Sequence, residues 1–95
     1  TLLDAVRKMS LMPAQRLESA TSGARRKGRL QAGADADIVV FDPETIEDKA
    51  TFRDFTAPST GVRYLLVGGT LVVDQGQVVD DVKPGRPIVA DAAVR

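Results

Sequence analysis

Residues 27–42, KGRLQAGADADIVVFD, carry the strongest structural signal in this 95-residue chain. Their second half, residues 36–41, is an apolar run rich in β-branched side chains, which predicts a buried strand. Asp42-Pro43 ends that strand, because proline cannot donate a hydrogen bond to a ladder. Residues 32–35 predict a turn around Gly33. Residues 27–30 predict a short strand of their own.

The sequence that follows predicts an antiparallel meander. Residues 62–67 and 70–74 are two β-rich runs separated only by Gly68-Gly69, a strong signal for a two-residue hairpin. Gln75-Gly76 indicates another tight turn, and residues 77–79 begin one more short strand.

Residues 44–60, which join the two β-rich parts, have no regular period. We expect Ile46, Phe52 and Phe55 to pin this loop to the core, with a short helical turn over residues 46–49.

Upstream of residue 27 the apolar residues recur at the spacing of a helix rather than at every second position, as in a strand. Residues 1–9 predict a helix whose N-terminus is capped by Thr1, with Asp4 three residues later. A second, shorter helix is predicted to begin at Pro13 and to be followed by a loop. One face of the first helix carries an apolar stripe, Leu2, Leu3, Val6 and Met9.

Composition allows one small domain at most. The chain is 43% hydrophobic but only 4% aromatic, so a core must be mainly aliphatic. Net charge is zero, which provides no general attraction for nucleic acid or a membrane. No apolar run reaches the ~20 residues of a membrane span, and no secretory leader is visible. We expect a fragment of a longer protein, because the sequence begins with threonine rather than methionine. The lack of cysteine favours a cytoplasmic location.

The sequence contains no histidine and no cysteine. Imidazole is the usual general base near neutral pH and the commonest metal ligand, and zinc sites favour nitrogen and sulfur. A histidine-based hydrolytic triad is therefore excluded. We predict no catalytic residue and no metal ligand in this chain.

Two charged clusters invite a functional interpretation. Residues 25–29, RRKGR, are the only basic cluster, and a phosphate or nucleic-acid contact is one reading. A solvated face is favoured, since no interleaved aromatic residue supports base stacking. Asp35 and Asp37 form a paired-carboxylate motif that suits calcium or acid–base work. The favoured interpretation is that Asp37 accepts backbone hydrogen bonds where the strand begins.

Residues 27–42 resemble a hallmark of the amidohydrolase superfamily, G-x-[I/L]-x-x-G-x-x-A-D-[I/L]-V-V-x-D. The downstream hairpins resemble the closing hairpins of the same family. The chain is similar to the C-terminal part of a metal-dependent amidohydrolase, and within that superfamily to the N-acyl-D-amino-acid deacylases, or D-aminoacylases. The residues that carry the resemblance are Gly28, Leu30, Gly33, Ala36, Asp37, Asp42, Gly68, Gly69 and Gly76.

This resemblance implies a mainly β fold. Two short N-terminal helices would be followed by the C-terminal strands of the small β-sandwich that lies beside a (β/α)₈ barrel. Residues 1–26 would be a helical segment from the end of the barrel with its connecting loop. Residues 27–90 would be the β-sandwich part, and residues 91–95 a frayed tail.

The resemblance also implies an activity for the longer enzyme. That enzyme would hydrolyse a linear, non-peptide C–N bond with one or two zinc ions, all of whose ligands lie upstream. This chain alone would hold no cofactor. Its partners would be the missing barrel and N-terminal strands, or a second copy through dimerisation or strand swapping, and neither nucleic acid nor membrane. The alternative is a free-standing β module that binds a protein through a sheet edge.

Overall fold

Two short helices begin the chain in the computed structural model, which describes residues 1–92. Helix α1 spans Leu2–Met9 and helix α2 spans Leu11–Leu17. Thr1 caps α1, since its hydroxyl oxygen accepts a hydrogen bond from the Asp4 N–H at 3.2 Å. The carboxylate of Asp4 accepts in return from the Thr1 hydroxyl at 2.8 Å. The predicted first helix and its cap are therefore confirmed.

The second helix begins earlier than predicted. It starts at Leu11, with Ser10 as the residue between the two helices, so Pro13 is the third helical residue rather than the first. The first four N–H groups of a helix have no intrahelical partner, so proline is tolerated anywhere in the first turn. The prediction placed Pro13 at the start of that turn and therefore left Leu11 and Met12 outside the helix.

A 3₁₀ helix, Ser22–Arg26, occupies part of the predicted loop. Thr21 caps it, accepting a hydrogen bond from the Gly23 N–H at 3.3 Å. The predicted strand over residues 27–30 is wrong, because residues 27–29 form bends and Leu30 has no regular secondary structure. Gly28 has a positive φ of 69°, and the Arg29 Nε donates back to the Lys27 carbonyl at 2.9 Å. Both features are incompatible with an extended strand.

Four antiparallel strands in the order β1-β2-β3-β4 form the sheet. They span Ile38–Phe41, Val62–Val67, Thr70–Asp74 and Gln77–Val78. Both predicted turns are confirmed: Val67 pairs with Thr70 around Gly68-Gly69, and Asp74 pairs with Gln77 around Gln75-Gly76. The chain is mainly β with two short N-terminal helices, as the sequence predicts.

Two register shifts bend the central strands. Between Val40 and Phe41 the pairing passes over Arg63, whose carbonyl accepts a hydrogen bond from the Gly76 N–H at 2.9 Å. A second shift passes over Val72, whose carbonyl accepts from the Val79 N–H at 2.9 Å. Each residue that leaves the ladder therefore keeps a backbone partner, as a bulge in a stable sheet requires.

The described residues divide into two units, Thr1–Ala36 with the segment from Gly85, and Asp37–Pro84. The predicted division at residues 26 and 27 refers to the longer enzyme and stays a prediction. So does the frayed tail, of which residues 93–95 lie outside the described part. Asp91 itself is held, since its carboxylate accepts hydrogen bonds from the N–H and hydroxyl of Ser22 at 2.9–3.1 Å.

The large apolar side chains are not enclosed. Only Ala14 and Ala24 are buried among the described apolar residues. The predicted burial of β1 is wrong in this chain, because Val39 and Val40 are 49% and 46% exposed. A single sheet cannot cover its own two faces, and the described secondary structure of residues 37–84 is one sheet.

The loop between β1 and β2 also departs from its prediction. Phe52 is 107% exposed and Phe55 77% exposed, so neither pins the loop to a core. The predicted helical turn over residues 46–49 is absent. Glu47 instead forms a bridge with Thr60 through backbone hydrogen bonds of 3.0 and 2.9 Å.

The Asp91–Ser22 contact gives a prediction for the pH dependence of stability. Hydrogen bonds from the Ser22 N–H, then from its hydroxyl, lower the pKa of Asp91 from its usual 3.8, and the positive charge of Arg25 adds to this. A lowered folded-state pKa means that the stabilisation is present above pH 3.8 and is lost as the pH falls through the folded value. We expect Asp91→Asn to lower the melting temperature at pH 7 and to lower it less as the pH approaches 3.

Thermal unfolding of the two proteins followed by circular dichroism at a series of pH values checks this. Asp81→Asn, at another exposed carboxyl, is the matched control. A difference between wild type and Asp91→Asn that stays constant down to pH 3 would contradict the proposed contribution of this carboxylate.

Candidate functional site

The residues of the family hallmark occupy structural positions rather than one site. Gly28 lies against the helices: a Cβ there would collide with the Ser10 carbonyl oxygen and approach the Ala14 Cβ to 3.1 Å. Gly33 lies in an open turn, Leu30 is 82% exposed and Ala36 is half-buried. This part of the motif therefore shapes the backbone, and it gathers no reactive side chains.

The basic cluster is engaged in ion pairs within its own unit. Arg29 donates to the Glu18 carboxylate at 2.7 Å, with side chains 19% and 29% exposed. Asp35 pairs with Lys27 at 3.0 Å and with Arg26 at 3.4 Å. The hydrogen bond from Lys27 and the nearby positive charges of Lys27 and Arg26 lower the pKa of Asp35. These contacts use the cations within the chain. The expected solvated face is wrong for Lys27 and Arg29, whose side chains are 27% and 19% exposed.

Both aspartates of the D-x-D motif are engaged in hydrogen bonds or ion pairs. Asp35 belongs to the ion pairs just described, whereas the Asp37 carboxylate accepts a hydrogen bond from the Gly68 N–H at 2.8 Å. The predicted backbone acceptor at the entry of β1 is thus confirmed, with a donor 31 residues away. This bond ties the start of β1 to the turn of the β2–β3 hairpin.

The last hallmark residue, Asp42, organises the exit of β1. Its Oδ1 accepts from the Glu44 N–H at 2.9 Å, and its own N–H donates to the Gly61 carbonyl at 2.9 Å. Gly61 has a φ of 93° and lies against the backbone of Thr45 and Ile46. Gly61 was not among the predicted site residues. Its glycine identity beside a strand was the available signal for a close backbone approach.

An open groove of about 610 Å³ lies on the sheet unit. Arg63 and Tyr64 are its only titratable lining residues, so it offers no side chain that serves as a base near neutral pH. The residues that line it are Thr45, Gly61, Val62, Arg63, Tyr64, Gln75 and Gly76.

A resident zinc ion does not fit the side chains of this chain. Residues 1–92 contain no group of three or more histidine, cysteine, aspartate or glutamate side chains placed to hold a metal. Because the sequence lacks histidine and cysteine altogether, only oxygen ligands remain, a poor match to zinc.

None of the helices within residues 1–92 has the length and hydropathy that a membrane span requires.

Comparison with known proteins shows which family the chain resembles. No family model matches the chain. An N-acyl-D-glutamate deacylase of Alcaligenes xylosoxydans xylosoxydans is 39% identical over 94 residues, which is 99% of this chain and 18% of that protein. A D-aminoacylase from the same organism is 40% identical over 77 residues, 81% of this chain and 16% of that protein. The chain belongs to the D-aminoacylase family of amidohydrolases.

A solved structure agrees with this assignment to the D-aminoacylase type. A crystal structure of D-aminoacylase, described as defining a novel subset of amidohydrolases, matches with a TM-score of 0.59 and 36% identity. The match covers 70% of this chain and 14% of that one. The chain therefore spans less than a fifth of the length of the D-aminoacylase relatives that it resembles.

Proposed function

We propose that this chain is the C-terminal structural segment of a cytoplasmic D-aminoacylase-type enzyme, and that catalysis takes place in the rest of that enzyme. The observation that carries the proposal is the relation to N-acyl-D-glutamate deacylase, which extends over 99% of this chain but only 18% of the relative. The proposed reaction is hydrolysis of the amide bond of an N-acyl-D-amino acid. Its products are a carboxylate and the free amino acid.

The chemical requirements of amide hydrolysis support placing the reaction in the rest of the enzyme. Hydrolysis of an unactivated amide needs a strong nucleophile and stabilisation of the negative charge that develops on the carbonyl oxygen. A metal ion supplies both when bound, and we propose that the longer enzyme holds one or two zinc ions. The described residues offer neither a metal site nor an imidazole base, so no step of the reaction is assigned to them.

Packing supports a structural role for the chain. The sheet has its apolar side chains half-exposed, and among the described residues β1 pairs with β2 alone. In helix α1, Leu3 and Met9 are 80% and 77% exposed. Burying apolar surface contributes about 25 cal/mol per Å², so these faces favour a partner surface. We propose that the barrel covers the α1 stripe and that N-terminal strands of the enzyme complete a β-sandwich with this sheet.

An activity assay tests the proposed function. The full-length enzyme is expected to hydrolyse an N-acetyl-D-amino acid and to lose activity on chelation, with recovery when zinc is restored. The 95-residue chain is expected to show no turnover with or without zinc. N-acetyl-D-glutamate, N-acetyl-D-aspartate and a neutral N-acetyl-D-amino acid should each be assayed, because the relatives include both a glutamate and an aspartate deacylase. Chelator-sensitive turnover by the 95-residue chain would refute the proposal.

The unpaired edge of β1 favours one second candidate, a free-standing module that binds a protein by adding a strand. An exposed edge also favours dimerisation or strand swapping of the isolated chain. Sedimentation separates the two functions. Association of the 95-residue chain with the remainder of its enzyme supports the first. A dilute, stably folded monomer that does not bind the remainder of the enzyme favours the second.

A further inference from the structure

Two of the three phenylalanines of this chain lie in solvent on one loop. We call residues 48–59 the aromatic loop. Within it Phe52 is fully exposed and Phe55 is 77% exposed. Phenylalanine buries 150–250 Å² when it is enclosed, so two exposed rings three residues apart form an unusual apolar surface.

The aromatic loop is held in shape by hydrogen bonds. Its ends are joined by the bridge between Glu47 and Thr60. Within it the Thr51 N–H donates to the Asp54 carbonyl at 2.9 Å, and the Asp54 N–H donates to the Thr51 hydroxyl at 2.9 Å. These two bonds close a turn that contains Phe52. A loop that is already ordered loses less conformational entropy when it docks than a flexible one.

The comparison with N-acyl-D-glutamate deacylase supports one source for a cover, the remaining length of the same enzyme. The match extends over 94 of the 95 residues, so it includes the aromatic loop. More than four fifths of that relative's length lies outside the match. In the longer enzyme of the proposed function, that remaining length supplies the surface against which the loop can pack. Buried aromatic side chains in well-packed pockets dominate the energetics of such interfaces.

Resting on the proposed function, we propose that the aromatic loop is a docking element, with Phe52 and Phe55 inserted into an apolar pocket of the remaining part of the same enzyme. The loop then holds the structural segment to that remainder at a place separate from the open edge of β1. Arg53, between the two rings, is covered when the loop is docked.

Hydroxyl-radical labelling of the full-length enzyme, read by mass spectrometry, tests the proposal. We expect Phe52 and Phe55 to be oxidised at least about tenfold more slowly in the native enzyme than in urea. In the 95-residue chain alone they should be oxidised as rapidly as in urea. Rapid labelling of both rings in the native full-length enzyme overturns the proposal. Protection in the 95-residue chain, at a dilution where sedimentation shows a monomer, also overturns it, because the cover would then lie within this chain.

Met9 separates a failure of this inference from a failure of the proposed function. It lies on the α1 stripe, which the proposed function places against the barrel, and its thioether reports oxidation in the same experiment. Protection of Met9 and both rings supports both ideas. Protected Met9 with rapidly labelled rings overturns only the docking of the loop. Rapid labelling of Met9 and both rings overturns both.

Trypsin cleavage after Arg53 provides a second measurement. Removing both rings, Phe52→Ala with Phe55→Ala, is expected to speed cleavage at Arg53 in the full-length enzyme by at least about tenfold. Hot-spot truncation weakens docking by ~2 kcal/mol or more, and each 1.4 kcal/mol is a factor of ten. Thr56→Ala, an exposed polar change in the same loop, is the matched control and should leave cleavage unchanged. Equal cleavage in wild type and the double variant counts against the proposal.

Discussion

Gly28→Ala is expected to lower the free energy of unfolding by about 2–5 kcal/mol. At a φ of 69° an L-residue other than glycine is strained by roughly 1–2 kcal/mol. The added Cβ would also collide with the Ser10 carbonyl oxygen, lie 2.8 Å from the Ser10 carbonyl carbon and press on Ala14. Overpacking of this kind typically costs about 1–3 kcal/mol. Because the obstacle is backbone between two helices, it cannot move aside as a flexible side chain would.

Gly33→Ala is the matched control for Gly28→Ala. Gly33 also has a positive φ, 86°, but nothing lies within 4 Å of its added Cβ. It should therefore cost only the backbone strain, about 1–2 kcal/mol. Urea unfolding of the full-length enzyme, followed by circular dichroism, measures both. Equal losses for the two variants would show that the close approach to Ser10 contributes nothing.

This pair of glycines shows what the sequence could and could not predict. A glycine among polar residues marks a turn, because the backbone conformation of a turn is a local property. The same locality made the Gly68-Gly69 and Gln75-Gly76 hairpins predictable. Which glycine touches a distant element is a tertiary fact, and nothing in the residues around Gly28 points to Ser10, 18 positions away.

Burial was the part of the fold that sequence reasoning predicted worst. Val39, Val40 and Phe52 were assigned to a core because they are apolar, yet all are substantially exposed. Hydrophobicity states that a side chain favours being covered, but it does not say whether the covering atoms belong to the same 95 residues. This chain spans less than a fifth of the length of its relative. We therefore propose that the atoms covering many of these apolar side chains belong to the rest of the enzyme.

The charged residues divide in the same way. That Asp37 accepts a backbone hydrogen bond was predictable, because aspartate commonly satisfies N–H groups where strands and turns meet. Its donor, the Gly68 N–H, was not predictable, since it depends on the register of β1 against β2. The basic cluster was expected to be a solvated face, and its specific pairs with Glu18 and Asp35 required the fold.

Gly61→Ala is expected to be comparably severe, at about 2–5 kcal/mol, but in the sheet unit. At a φ of 93° any L-residue is strained by roughly 1–2 kcal/mol. The added Cβ would collide with the Ile46 Cα, and it would lie 2.5 Å from the Ile46 nitrogen and 2.8 Å from the Thr45 carbonyl carbon. Overpacking against backbone adds about 1–3 kcal/mol. Ile46 and Gly61 flank the Glu47–Thr60 bridge, so the damage falls on the base of the aromatic loop.

Hydrogen exchange distinguishes this local damage from a general loss of stability. In Gly61→Ala the Glu47 and Thr60 amides, which bond each other's carbonyls, should exchange at least about tenfold faster, since each 1.4 kcal/mol is a factor of ten. The β2–β3 ladder should change less. Gly68→Ala is the matched control, because its φ of 56° is also positive while nothing lies within 4 Å of the new Cβ. Unchanged exchange at Glu47 and Thr60 would mean that the backbone contact at Gly61 does not hold the loop closed. The aromatic rings would then have to be positioned by their docking partner alone.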